Sequence, residues 1–141
     1  MGSQGVILIV DDSHTDRRYL ERVLTWAGYD TVIAVDGQEA LEVLQQDAVD
    51  MVVADIKMPR LDGYELFEAT RGDAVLARVP FLFVTAYRDG SEVRSYGARI
   101  GAGPCLTKPV DPDTLVDCIA RALEGDRSGG RPNCRSWEAA G

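Results

Sequence analysis

The sequence predicts an α/β fold, a five-stranded parallel sheet with helices on both faces, built as a βα unit repeated five times. Two observations predict it. Short unbroken apolar runs recur along the chain, and amphipathic helical patterns fill the gaps between them. Strands alternating with helices in this way pair in parallel, joined by right-handed crossovers.

The first apolar run, Val6 to Val10, reads VILIV. Such a run suits a strand buried on both faces. Comparable runs stand at residues 31–35 (TVIAV), 51–54 (MVVA), 81–84 (FLFV) and, shorter, 105–107. In the first helical pattern, Leu20, Val23, Leu24 and Ala27 fall on one face at spacings of three and four, and Gly28 ends it. Ala40, Leu41 and Leu44 repeat the pattern in a second helix, and a third is expected over about residues 61–71. A fourth, near residues 91–100, is interrupted by Gly97. The fifth has a defined start: Asp111 caps it, Pro112 suits the first helical position, and Leu115, Ile119 and Ala122 face inward.

The chain has 141 residues, 45% of them apolar, which fits one domain with a core that requires no disulfide or metal staple. The expected organisation is a flexible N-terminus over residues 1–5, a folded domain over 6–124, and a flexible tail or linker start over 125–141. That last stretch is rich in Gly, Arg and Ser, and holds Trp137. A net charge of −8 argues against free nucleic acid as a direct partner, because phosphate backbones are held by basic patches. No apolar run approaches a membrane span, and residues 1–5 lack signal-peptide character, so a cytoplasmic location is the expectation. The three cysteines, Cys105, Cys118 and Cys134, form no CxxC pair and read as reduced thiols. His14 is the sole histidine and builds no zinc site by itself.

In an open parallel sheet, ligands bind beyond the carboxyl ends of the strands. The first run ends in Asp11 and Asp12, the third in Asp55, the fourth in Thr85, and the fifth in Lys108 followed by Pro109. Each residue alone reads as structural: an aspartate before a helix caps it, and one before a loop makes a turn. Together they bring three carboxylates, a hydroxyl and an ammonium to one sheet edge. Clustered carboxylates repel one another, and a hard divalent cation relieves the repulsion. Oxygen donors without Cys or His point to magnesium. A nucleophilic carboxylate, a metal, a cation and a hydrogen-bond donor are the parts of a phosphoryl-transfer site.

The stretches VILIVDDS, VVADIKMPRLDGYEL, FLFVTAY and CLTKPV resemble the CheY-like response-regulator receivers of two-component signalling. The D-x-x-M-P-x-x-D-G pattern from Asp55 to Gly63 is the most specific of these features. The resemblance spans residues 6–124 and implies a flavodoxin-like strand order 2-1-3-4-5. It implies Asp55 as phosphoacceptor. It implies magnesium held by Asp12 and Asp55, by Asp11 largely through water, and by the Lys57 backbone carbonyl. It further implies that Lys108 pairs with the phosphoryl group, with Thr85 as switch hydroxyl and the Ala86 amide as a further contact. A cis bond is implied before Pro109, while Pro59 and Gly63 shape the turn that closes the site. Cys105 occupies the position of the family's usual switch aromatic, so readout by a swinging ring is not available here. Ala102, Gly103 and Pro104 replace the acidic residues frequent before the fifth strand.

The implied function is a phosphorelay receiver and not a turnover enzyme. Its donor is a sensor histidine kinase or histidine phosphotransfer domain. Its output is a shift of the face formed by the fourth helix, fifth strand and fifth helix, which is also the face for a homodimer. Lys57 and Tyr87 flank the approach of water in the family pattern. Neither is an acid or amide suited to orient water, so slow self-dephosphorylation is expected. Two rivals fit less well. A binding module on the same fold has no use for the clustered carboxylates. An enzyme on a similar fold lacks its signature: DDSHTD is not a phosphate-binding flavin loop, Ser13 breaks a D-x-D nucleophile motif, and no P-loop is present.

Overall fold

In a computed structural model, the described residues are 4–86 and 105–128, with side chains to 124. Five strands, β1 (Val6–Val10), β2 (Asp30–Ala34), β3 (Met51–Ala54), β4 (Phe81–Thr85) and β5 (Cys105–Thr107), form one sheet. Their order is β2-β1-β3-β4-β5, and every pairing is parallel. The helices are α1 (His14–Trp26), α2 (Gly37–Gln46), α3 (Gly63–Arg71) and α4 (Pro112–Ser128), with a 3-10 turn at Leu76–Arg78. The expected helix near 91–100 lies outside the described residues, so α4 is the helix expected as the fifth. Tyr87, Gly97, the 102–104 loop, Cys134 and Trp137 also lie outside them.

The central strands β1, β3 and β4 are buried on both faces, whereas the edge strands β2 and β5 are mostly half-buried; successive side chains point to opposite sides, and helices cover each side. Ile7 and Ile9 pack with Leu20 and Leu24 of α1 and with Leu115 and Ile119 of α4. Leu8 and Val10 pack with Ala40 and Leu44 of α2 and with Leu66 and Phe67 of α3. Each such Val, Leu, Ile or Phe side chain contributes about 1.5–3 kcal/mol when fully buried. Edge-to-face rings fasten α3 to β4: Tyr64 meets Phe83 at 5.0 Å and Phe67 meets Phe81 at 5.4 Å. That contact matters for the site, because α3 begins where the Asp55 loop ends.

Several boundaries differ from the sequence expectation, each for a local reason. β2 begins at Asp30 and ends at Ala34, one residue early, because the Asp30 amide bonds the Gly5 carbonyl and the Val35 amide turns to Glu39 Oε1. α3 starts at Gly63, two residues late, because Asp62 caps it in a reciprocal box with Glu65. α4 does begin after Asp111, whose Oδ2 accepts the Thr114 amide at 3.0 Å. It runs on to Ser128, past the boundary expected at Glu124. An established helix gains one hydrogen bond per added residue, and a single glycine costs only about 1 kcal/mol. At the other end, Gln4 and Gly5 are tied down. The Gln4 amide bonds the Gly28 carbonyl at 3.2 Å, and its side chain bonds the Ala27 carbonyl at 3.0 Å.

Candidate functional site

The parallel ladder brings the strand ends together. Val10 pairs with Ala54, so the next residues, Asp11 and Asp55, stand side by side. The Asp55 amide donates to the Val10 carbonyl (2.9 Å) and the Asp11 amide to the Ala34 carbonyl (3.2 Å), extending the ladder under both carboxylates. On the other side, Thr85 pairs with Thr107, and the Lys108 amide donates to the Thr85 carbonyl at 2.8 Å. The Lys108–Pro109 peptide bond is cis. The lysine side chain reaches past the end of β4. Its Nζ lies 2.7 Å from Asp11 Oδ2 and 3.1 Å from Asp55 Oδ2.

Asp11, Asp12 and Asp55 each place a carboxylate oxygen within 4.8 Å of the others. Asp11 is buried and Asp12 is exposed, so the cluster opens to solvent on one side. Helix capping does not account for the pair: Ser13 is the cap of α1, its Oγ accepting the Asp16 amide at 3.3 Å. Asp11 instead accepts the Ser13 amide at 2.9 Å. Burial pushes the Asp11 carboxyl above the ordinary aspartate range, and the bonds from Lys108 and the Ser13 amide only partly offset it. Burial also works against the Lys108 charge. Its bonds to Asp11 and Asp16, with the nearby Asp55 charge, outweigh that penalty and hold its pKa above that of an ordinary lysine.

The loop after Asp55 is built by close backbone approach. A Cβ on Gly63 would lie 2.3 Å from the Asp55 carbonyl oxygen, so only glycine fits there. The Gly63 amide donates to the Ile56 carbonyl at 2.8 Å. Arg60 has a positive φ of 68°. That conformation aims its guanidinium at Asp36, with Nε 2.8 Å from Oδ2. The Glu39 amide and then Arg60 lower the Asp36 pKa below the usual aspartate value. α2 and the Asp55 loop are thereby pinned together. Pro59 and Lys57 are exposed on this loop.

Thr85 is buried at the end of β4, and Ala86 follows it at the surface. Cys105 stands apart from the cluster. It opens β5 opposite Phe83 and packs half-buried against the α2/α3 side of the core. His14 lies exposed at the start of α1. Two participants at this edge were not legible in the sequence. Asp16 Oδ2 lies 2.7 Å from Lys108 Nζ. Tyr19 donates from its hydroxyl to the Val110 carbonyl at 2.7 Å. The one available signal was position: Asp16 sits in the first turn of a helix that starts at the carboxyl edge of the sheet.

Comparisons with known proteins show the family and the fold. A family model described as the response regulator receiver domain matches residues 7–120. Protein PilH of Pseudomonas aeruginosa is 36% identical over 119 residues, covering 84% of this chain and 98% of that protein. A probable transcriptional regulator ycf27 of Guillardia theta is 40% identical over 117 residues, 83% of this chain but 44% of the relative. The chain thus spans about half the length of the ycf27 relatives it matches. Among solved structures, chemotaxis protein CheY4 of Vibrio cholerae superimposes with a TM-score of 0.78 at 33% identity, covering 84% of this chain and 98% of that one. A CheY-like receiver domain protein from Methanospirillum hungatei gives 0.82 at 28% identity, covering 91% and 100%.

Proposed function

The chain belongs to the response regulator receiver family, and from that premise we propose that Asp55 accepts a phosphoryl group from a phosphohistidine on a partner kinase or phosphotransfer domain. The observation that carries this reading is the ammonium of Lys108 held 3.1 Å from the Asp55 carboxylate, beside two further aspartates. An Asp55 oxygen forms the bond to phosphorus while the phosphorus–nitrogen bond of the donor breaks. Lys108 neutralises charge on the phosphoryl oxygens, and the hydroxyl of Thr85 and the amide of Ala86 donate to them.

The donor set is all oxygen, with carboxylates close enough to share one ion, and this fits magnesium. Asp11, Asp12, Asp55 and the Lys57 carbonyl would hold it, and when bound it offsets the negative charge that gathers in phosphoryl transfer. No helix among the described residues is long and apolar enough to cross a membrane, and the proposed setting is the cytoplasm. The readout proposed is a shift in partner affinity, relayed from Thr85 to the surface beside β5 and α4 and including contact with a second copy. Cys105 contributes no swinging ring to that relay. Lys57 and Tyr87 are proposed to shield the phosphoryl group and lengthen its life.

The test is incubation with magnesium and acetyl phosphate or phosphoramidate, read by intact mass. Wild type should gain one phosphoryl group and Asp55→Asn none. Unchanged labelling of Asp55→Asn would refute the assignment.

A further inference from the structure

Lys108 carries three ammonium protons and accepts no hydrogen bond. Three carboxylate oxygens surround it: Asp11 Oδ2 at 2.7 Å, Asp16 Oδ2 at 2.7 Å and Asp55 Oδ2 at 3.1 Å. Donors and acceptors therefore match in number, and the contact to Asp55 is the longest. Asp11 comes from the end of β1 and Asp16 from the first turn of α1, so two independent elements grip the same nitrogen. The lysine side chain is 15% exposed, so little water competes for those protons.

The grip on Asp16 is itself anchored. Ser13 caps the turn that carries it, and Arg17 Nη1 donates to the Asp11 carbonyl at 2.8 Å, locking α1 to the end of β1. Three residues along the same helix face, Tyr19 bonds the Val110 carbonyl and ties down the segment that follows Lys108. α1 thus holds the lysine at its head through Asp16 and near its backbone through Tyr19.

We propose that Asp16 is a positioning residue for phosphoryl transfer: with Asp11 it occupies two of the three protons on Lys108 and directs the third at Asp55. When Asp55 carries the phosphoryl group, the third N–H of Lys108 turns from the carboxylate to a phosphoryl oxygen, while Asp11 and Asp16 keep accepting the other two. Asp16 therefore aims the cation and does not compete with the phosphoryl group for it. Without Asp16, Asp11 alone grips the ammonium beside Asp55, so the flexible four-carbon stem swings more widely and spends part of its time out of line. The inference rests on Asp55 being the phosphoacceptor.

The experiment compares wild type, Asp16→Ala, Asp16→Asn and Asp55→Asn at saturating magnesium with phosphoramidate, together with the nitrogen-15 signal of the Lys108 ammonium. Asp16 is partly exposed, so the pair is a modest one. The expected loss in phosphorylation rate constant for Asp16→Ala is about three- to fivefold. Asp16→Asn keeps an acceptor oxygen and should fall between Asp16→Ala and wild type. The Lys108 ammonium peak should be narrow in wild type and broaden or vanish in Asp16→Ala; a change in global stability alone would not move it. Equal or faster labelling of Asp16→Ala, with the ammonium peak unchanged, overturns the role of Asp16 and leaves Asp55 standing. Unchanged labelling of Asp55→Asn overturns the underlying reading instead. Should Asp16→Ala fail to fold, Asp16→Asn and a scalar coupling between Lys108 Nζ and Asp16 Cγ in wild type decide it: a normal rate with no coupling rejects the proposal.

Discussion

Replacing Gly63 with alanine adds one methyl group against the backbone of the Asp55 segment, and the consequence can be worked from distances. The new Cβ would stand 2.3 Å from the Asp55 carbonyl oxygen and 3.0 Å from Ile56 Cα, where ordinary contact begins at 3.4 Å. Both obstacles are backbone, so no side chain can rotate aside. Either α3 or the Asp55 loop must move by about 1 Å, which stretches the 2.8 Å bond from the Gly63 amide to the Ile56 carbonyl. Overpacking of this kind costs about 1–3 kcal/mol. Alanine recovers up to about 1 kcal/mol through its better helix propensity. The expected net loss is about 1–2 kcal/mol in urea unfolding. Labelling with phosphoramidate should fall further than stability does, because the displaced residue is Asp55 itself. A misplacement of about 1 Å costs up to about a hundredfold in rate. Gly72→Ala is the control. Its Cβ would meet only Ala69 O at 3.8 Å, and its φ of −79° suits any residue. It should be neutral or slightly stabilising. If Gly63→Ala unfolds at the same urea concentration as Gly72→Ala and labels at the same rate, the close-approach argument fails.

Asp12→Ala should lose magnesium affinity and phosphorylation together, as measured by calorimetric titration and mass labelling; normal magnesium binding would place the metal elsewhere. The double substitution Lys57→Asn/Tyr87→Glu should shorten the life of the phosphorylated protein after donor removal, because it exchanges the side chains proposed to shield the phosphoryl group for ones that orient water; equal or slower decay would remove the shielding role. The pH dependence of stability carries a sign set by Asp36. Its pKa is lowered in the folded state, first by the Glu39 amide and then by Arg60. Its contribution is therefore present above the unfolded value of about 3.9 and is lost as pH falls below it, through the folded value. Asp36→Asn, which keeps a capping oxygen, should be less stable than wild type by about 1 kcal/mol or less at pH 7, since Arg60 is largely exposed. That gap should close toward pH 3 in urea titrations; a gap constant from pH 7 to pH 3 would contradict the assignment.

Much of this protein was legible from the chain alone, because the signals are local. Apolar runs such as VILIV and MVVA specify strands buried on both faces, and alternation with helical patterns makes the sheet parallel. Once the sheet is parallel, every strand ends on one edge, so Asp11, Asp12, Asp55, Thr85 and Lys108 share it, and the strand order makes their strands neighbours. The helix start after Asp111 was legible as a short-range hydrogen-bond event, whereas Ser13 as the cap of α1 and Asp62 as the cap of α3, two residues later than expected, came from the structure. What only the tertiary structure decided are the contacts made across long separations in sequence. Asp16 and Lys108 are 92 residues apart, and Tyr19 and Val110 are 91 apart. Nothing near Asp16 distinguishes it from a solvated residue in a helix's first turn. Its partnership depends on the angle at which α1 leaves β1 and on how far the lysine reaches over the end of β4. The same holds for Arg60 on Asp36 and for the methyl-free gap between Gly63 and Asp55. Periodicity sets which face a residue takes, whereas distances of 2–3 Å between separate elements are set by packing, and packing exists only after the chain has folded.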